Sequence, residues 1–251
     1  MTDLGPTPYD RILNLMDRLR QDCPWDREQT FETIAPYTIE ESYEVIDAIQ
    51  RGDMTDLKSE LGDLLFQVLF HSKIASEKGT FDFQQVCDGL VEKMVRRHPH
   101  VFEGAEKLDW DGIKASERQG KGDQKTLDGI ALSLPALMRA EKIQKRAAKT
   151  GFDWPDTDGP YEKLTEEIQE VKEAVSGGDP QDIESEIGDL LFSVVNLARK
   201  LNIDPEVALR ATNDKFTRRF NAIEEKAEPD LQSLTLDEME ALWQAVKKDG
   251  L

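Results

Sequence analysis

SELGDLLFQV at residues 59–68 and SEIGDLLFSV at residues 185–194 decide how this chain is read. Each sets Glu and Asp three residues apart at the head of an apolar run, so on a helix both carboxylates share one face. Upstream of the second copy, YEKLTEEIQEVKEAVS (161–176) carries Leu164, Ile168, Val171 and Val175 at spacings of four, three and four, a single helical stripe. The stripe stops at Gly177-Gly178. A new helix is predicted to open with Asp179 as N-cap and Pro180 at its first position. So short a break makes the two helices antiparallel neighbours. The first half follows the same plan, with YTIEESYEVIDAIQ (37–50), a break at Arg51-Gly52-Asp53, and a second helix from Met54.

Sliding the second copy back by 126 residues superposes Glu167 on Glu41, Glu170 on Glu44, Gly178 on Gly52, Glu186 on Glu60 and Asp189 on Asp63. With the offset shifted to 122, NDKFTRRFNAI matches EKMVRRHPHVF and pairs Lys215 with Lys93 and Arg219 with Arg97. The chain is a tandem duplication. Strand-length alternation is scarce, so the class is all-α, two tandem helical-bundle domains. The expected domains are 1–102 and 126–251, joined by a Gly- and charge-rich linker at 103–125. A last helix opens at a Thr235-to-Glu238 capping box.

Across 251 residues, 51 acidic side chains face 32 basic ones, a net charge of −19. That field repels nucleic acid and anionic membrane surfaces, and neither is expected as a partner. The N-terminus shows no secretory signal and no apolar run approaches a membrane span, so the reading is a cytoplasmic protein. Cys23 and Cys87 read as free thiols.

Glu170 and Glu186 each lie seven residues from the turn, and Glu167 and Asp189 each ten. At about 1.5 Å per residue the first pair sits about 10 Å from the turn and the second about 15 Å. Four carboxylates are thus expected to converge in two level rungs, and Glu41, Glu44, Glu60 and Asp63 repeat the set. Such a cluster repels itself unless a cation joins it. All-oxygen ligands suit Mg²⁺, with Mn²⁺ as the alternative ion, and carboxylate-held Mg²⁺ serves phosphate substrates. Lys215 and Arg219, four apart, suit a phosphate clamp. A lone E-x-x-E is ordinarily a solvated helix face, and Glu41 stands where it would complete a capping box with Thr38. Matched heights, a glycine beside each aspartate and the duplication argue for metal instead.

E-E-x-x-E followed by E-x-x-D, in both copies, resembles the MazG nucleoside triphosphate pyrophosphohydrolases, relatives of the all-α dUTPases and phosphoribosyl-ATP pyrophosphatases. The resemblance extends to CPWDREQTF (23–31), RRHPHVF (96–102) and GFDW (151–154) and covers nearly the whole chain. It implies dimers or higher homo-oligomers and Mg²⁺-dependent hydrolysis of NTPs and dNTPs to the monophosphate and pyrophosphate, in housekeeping or regulation of the nucleotide pool. The family's metal ligands fall on Glu167, Glu170, Glu186 and Asp189, with Glu41, Glu44, Glu60 and Asp63 as the first-copy set. Its nucleotide contacts fall on Lys163, Lys215, Arg219 and Trp243. The family's Asn before the clamp lysine is present as Asn213, whereas Val91 stands there in the first copy. The C-terminal copy is therefore expected to be the catalyst and the N-terminal one mainly to serve assembly.

The expected reaction has a water, oriented or deprotonated by Glu166 or Glu167, attacking the α-phosphorus while Lys215 and Arg219 offset the charge of the departing pyrophosphate. Trp243 stacks on the nucleotide by the resemblance and packs helices by composition alone. Trp25, Trp110 and Trp154 have no role derivable from sequence, His98 and His100 straddle a helix-ending Pro99, and His71 reads as a core or interface residue. Two other classes compete. A di-iron bundle needs Glu-x-x-His motifs that are absent here, and a non-catalytic metal- or nucleotide-binding regulator fits the acidic clusters without the clamp.

Overall fold

The structure is a computed structural model that describes residues 4–104, 125–227 and 230–250. Apart from residues 103, 104 and 125, the expected linker lies outside these, as does Trp110. The described residues contain eleven α-helices and one 3₁₀ turn, with no strand among them. The chain divides into two compact units, Met1–Lys114 and Ala115–Leu251.

In the first unit, α1 (Pro8–Asp22) and the short α2 (Pro24–Glu28) lead into α3 (Phe31–Arg51) and α4 (Met54–Glu77), which pack against each other. α3 begins six residues ahead of the 37–50 stretch and runs through Pro36. Thr30 caps it, its hydroxyl accepting from Thr33 N–H, and Phe31 packs on the core and stacks on His71. These contacts outweigh the one backbone bond that Pro36 cannot make. Thr38 is consequently mid-helix, with its hydroxyl on Ile34 O and His71 Nε2, so the capping-box reading of Glu41 fails. The break after α3 is a Gly52 left-handed cap (φ 70°) and an Asp53 N-cap. α5 (Phe83–Arg97) and α6 (Pro99–Phe102) follow, and His98 is spent as their junction, bonded to Met94 O. Met16, Ile34, Leu69, Phe70 and Ile74 form a filled apolar core.

The second unit repeats this pairing. α7 (Ala136–Ala148) packs on α9 (Pro180–Lys200), which pairs antiparallel with α8 (Asp158–Gly177). Gly178 takes the left-handed cap (φ 78°), with Asp179 and Pro180 placed as the sequence predicts. α10 (Pro205–Lys226) packs on α7 and α9, and α11 (Leu236–Lys248), opened by the Thr235–Glu238 capping box, packs on α10. Fewer large apolar side chains are buried here: Val195, Ile223 and Val246. No helix among the described residues is long and apolar enough to cross a membrane.

Candidate functional site

α8 and α9 bring Glu167, Glu186 and Asp189 together, with one carboxylate oxygen from each inside a mutual 4.8 Å. α3 and α4 do the same with Glu41, Glu60 and Asp63. Each cluster is therefore a trio across both rungs: Glu186 reaches the level of Glu167, and Glu170 and Glu44 stand outside. They remain neighbours, close enough that Glu167 repels Glu170 and that Glu44 repels both Glu41 and Glu60. Partial removal from water, then carboxylate repulsion, raises Glu41 and Glu60 above ordinary glutamates. Burial also raises Glu170, against the pull of Lys163.

Glu167 is the buried member, 3% exposed. Its Oε1 accepts from Lys163 Nζ at 2.7 Å, while its Oε2 is buried with no hydrogen-bond partner. Lys163 also reaches Glu166 at 2.9 Å and Glu170 at 3.9 Å, and its bonds to Glu167 and Glu166 raise its pKa. A buried carboxylate oxygen without a donor is costly. An all-oxygen trio ending on such an atom fits a hard divalent cation. In the first unit Tyr37 occupies the place of Lys163, and buried Gln67 leans its Nε2 on Glu41 at 3.4 Å.

Beside Glu167 and Asp189 opens a cavity of about 600 Å³, walled by Ile143, Phe152, Trp154 and Phe192 among others. The loop carrying Phe152 and Trp154 is latched. Arg199 grips Asp153 through two nitrogens at 2.5 and 3.1 Å and holds its carboxyl below the usual range. Lys200 donates to Trp154 O at 2.6 Å, and the Trp154 indole lies so close to Gly159 that a Cβ there would fall 2.0 Å from the ring. Trp154 thus gains a place that sequence left open. Gln144, Asn196 and Arg199 line the same cavity and were missed, because nothing local marks an amide as a cavity wall.

Lys215, Arg219 and Trp243 do not line this cavity. Trp243 packs on Phe216 at 5.3 Å between ring centres and lies under the Arg219 guanidinium at 5.7 Å. Lys215 is exposed on α10.

The family described as the MazG nucleotide pyrophosphohydrolase domain matches residues 29–102 and again residues 160–223, the segments that carry the two trios. The chain belongs to the MazG family. It is 49% identical over 259 residues to the nucleoside triphosphate pyrophosphohydrolase of Escherichia coli K12, spanning 96% of this chain and 98% of that one. The Thermotoga maritima nucleoside triphosphate pyrophosphohydrolase/pyrophosphatase MazG is 45% identical over 247 residues, 95% of each chain. A Mycolicibacterium smegmatis nucleoside triphosphate pyrophosphohydrolase is 34% identical over 203 residues, 69% of this chain and 63% of its own.

Proposed function

We propose that this MazG protein hydrolyses nucleoside triphosphates, NTPs and dNTPs alike, to the monophosphate and pyrophosphate, with Mg²⁺ or alternatively Mn²⁺ on the α8–α9 trio. The observation that carries the reading is the unpartnered, buried Glu167 Oε2 within a three-carboxylate cluster at a cavity of nucleotide size. Glu167, Glu186 and Asp189 hold the ion, with Glu170 adjoining. When bound, the ion offsets phosphate charge and acidifies the waters it keeps. Lys163 fixes the Glu167 carboxylate through its 2.7 Å contact and presents charge to a phosphate oxygen. Glu166, outside the trio and exposed, orients the attacking water and takes its proton. Lys215 and Arg219 add charge from α10 against the leaving pyrophosphate. The first-unit trio, with Tyr37 for Lys163, contributes to assembly more than to turnover. Charged nucleotides are cytoplasmic substrates, and pool housekeeping or regulation there is the role this chemistry serves.

Anion-exchange analysis of products from a panel of NTPs and dNTPs with Mg²⁺ is expected to show monophosphate and pyrophosphate. Diphosphate with orthophosphate would overturn the reading, and binding without turnover would favour a non-catalytic regulator.

We also propose a homo-oligomer. Ile187, Leu191 and Val194 form an exposed stripe on α9, and Leu61, Leu65 and Val68 repeat it at the same three positions on α4. Gly188 and Gly62 lie within these unbroken helices, with open space where a Cβ would stand. A mid-helix glycine costs about 1 kcal/mol against alanine, and the surrounding unit does not require either one. A second copy seated on these helices gives both features a use. Light scattering is expected to give a multiple of the 28.5 kDa protomer mass, and a monomer at micromolar concentration would sink the idea.

A further inference from the structure

The α8–α9 pair is a hairpin whose two ends are closed by different means. At one end the chain itself turns, through Gly178 and Asp179. At the other, the Asp153–Arg199 latch ties the segment that leads into α8 to the last turn of α9. Arg199 lies twenty residues beyond Asp179, and Gly159 lies eighteen before Gly177. At about 1.5 Å per residue they stand about 30 Å and about 27 Å from the turn. Glu167 and Asp189, about 15 Å from it, are half-way between the two closures.

The latch is firmly made. Arg199 donates through Nη1 and Nη2 to Asp153, and through Nε and Nη2 to Asn196 Oδ1. The Arg199 and Asp153 side chains are 10% and 23% exposed, so solvent screens the pair little. Lys200 adds its bond to the Trp154 carbonyl. Trp154 completes the link, because its ring fills the space over Gly159 in the first turn of α8. Gly159, Lys163 and Glu167 follow at spacings of four, so the ring heads the column that leads to the trio. The first unit has no counterpart. There, 126 residues earlier, stand Arg27, Glu28, Thr33, Lys73 and Ile74, and Lys73 pairs with Asp17 of α1 instead.

Glu167 of the trio stands on α8, and Glu186 and Asp189 on α9, so the separation of the helices sets the gap between their oxygens. A hairpin hinged at its turn opens half as far at its middle as at its free end. Slack of about 2 Å at the latch becomes about 1 Å at the trio, and a working ligand set tolerates about 0.5 Å. We propose that Asp153, Arg199 and Gly159 are positioning residues for the metal site: the latch fixes the α8–α9 spacing and so makes the trio prefer a small cation, Mg²⁺, to a large one, Ca²⁺. The inference rests on the metal reading above. Mg²⁺ demands near-ideal octahedral geometry at about 2.1 Å, whereas Ca²⁺ accepts a looser shell at about 2.4 Å. A slackened hairpin therefore loses affinity for the first far more than for the second.

The test uses the full-length protein carrying Glu60→Gln and Asp63→Asn, which leaves the second-unit trio as the complete one. Bound Mn²⁺ is counted by its paramagnetic resonance signal, without nucleotide, and Mg²⁺ or Ca²⁺ is titrated in to displace it. Asp153→Asn is expected to weaken Mg²⁺ at least about tenfold and Ca²⁺ less than about threefold. Arg199→Lys keeps the charge but loses the fork, and is expected to do the same. The double variant is expected to do no more than either alone, since both remove one latch. Gly159→Ala approaches from the other side. Its Cβ evicts the Trp154 ring while favouring the helix, so it carries the test if the charge variants do not fold. It is expected to give the same preferential loss of Mg²⁺. Unchanged Mg²⁺ displacement overturns the proposal, as do equal losses for the two ions, which a general loosening of the fold would give, or losses that add in the double variant. Each of those results leaves the trio a metal site. A parent protein that binds no Mn²⁺ would sink the metal reading itself, and this inference with it.

Discussion

Glu186→Gln is expected to lower kcat/KM for any nucleoside triphosphate by about 10³-fold, while Glu60→Gln at the duplicated position lowers it less than about tenfold. Glutamine keeps the length of Glu186 and removes one of the three charges that meet within 4.8 Å. A metal's stabilisation of transition-state charge is worth several kcal/mol, and about 4 kcal/mol corresponds to about 10³ in rate. The asymmetry follows from the residues around each trio. The second has Lys163 on a 3%-exposed Glu167 and an adjoining cavity lined by both Glu167 and Asp189. The first has Tyr37 at the lysine's place and Gln67 leaning on Glu41. Pyrophosphate release measured on matched preparations checks the claim, and equal losses in the two variants would return both copies to the status of working sites. A melting curve in chelator separates chemistry from folding. Removing one charge from a self-repelling trio leaves Glu186→Gln at least as stable as wild type there, so a lower melting temperature would mean that the lost activity reports misfolding.

The helix breaks were legible because they are local. Gly52 and Gly178 take left-handed caps, and Asp53 and Asp179 bond the next free N–H groups. Those requirements are met within a few residues. The convergence of carboxylates from paired helices was legible for a similar reason, since rise per residue and a short turn fix axial height. Which three of the four carboxylates meet was not, because side-chain reach and helix rotation carry Glu186 across the rung to Glu167. The start of α3 was hidden by Pro36, whose local cost is overridden by Thr30 capping and Phe31 packing. The cavity was invisible for a deeper reason. Gln144 and Asn196, which line it, lie 52 residues apart, and the way each amide faces depends on the Phe192 carbonyl and on Arg199. No periodicity encodes that.

Lys163→Met is expected to destabilise the metal-free protein and to enlarge its response to Mg²⁺. Lys163 gives the buried Glu167 carboxylate its cation at 2.7 Å. Taking one partner from a buried pair ordinarily costs 3–5 kcal/mol. Lys163 is itself a third exposed, and solvent screening brings the expected loss down to about 2 kcal/mol. In a domain of this size that is a fall in Tm of about 6 °C in chelator. Without the lysine the trio is more negative, so Mg²⁺ binds more tightly and raises Tm further than in wild type. Activity does not return with stability, because the phosphates have lost a partner. A variant as stable as wild type in chelator, or one whose Mg²⁺ shift is unchanged, would remove Lys163 from this role. Acidification supplies the complementary readout. Glu41, Glu60 and Glu170 are raised in the folded protein, so their contribution is present at low pH and is lost as pH rises through their folded values. On acidification toward the ordinary glutamate range these three groups therefore favour the folded metal-free protein, against His71, whose value burial lowers and whose contribution runs the other way. Over the same window the Mg²⁺ shift shrinks, because protons and the cation compete for the same oxygens.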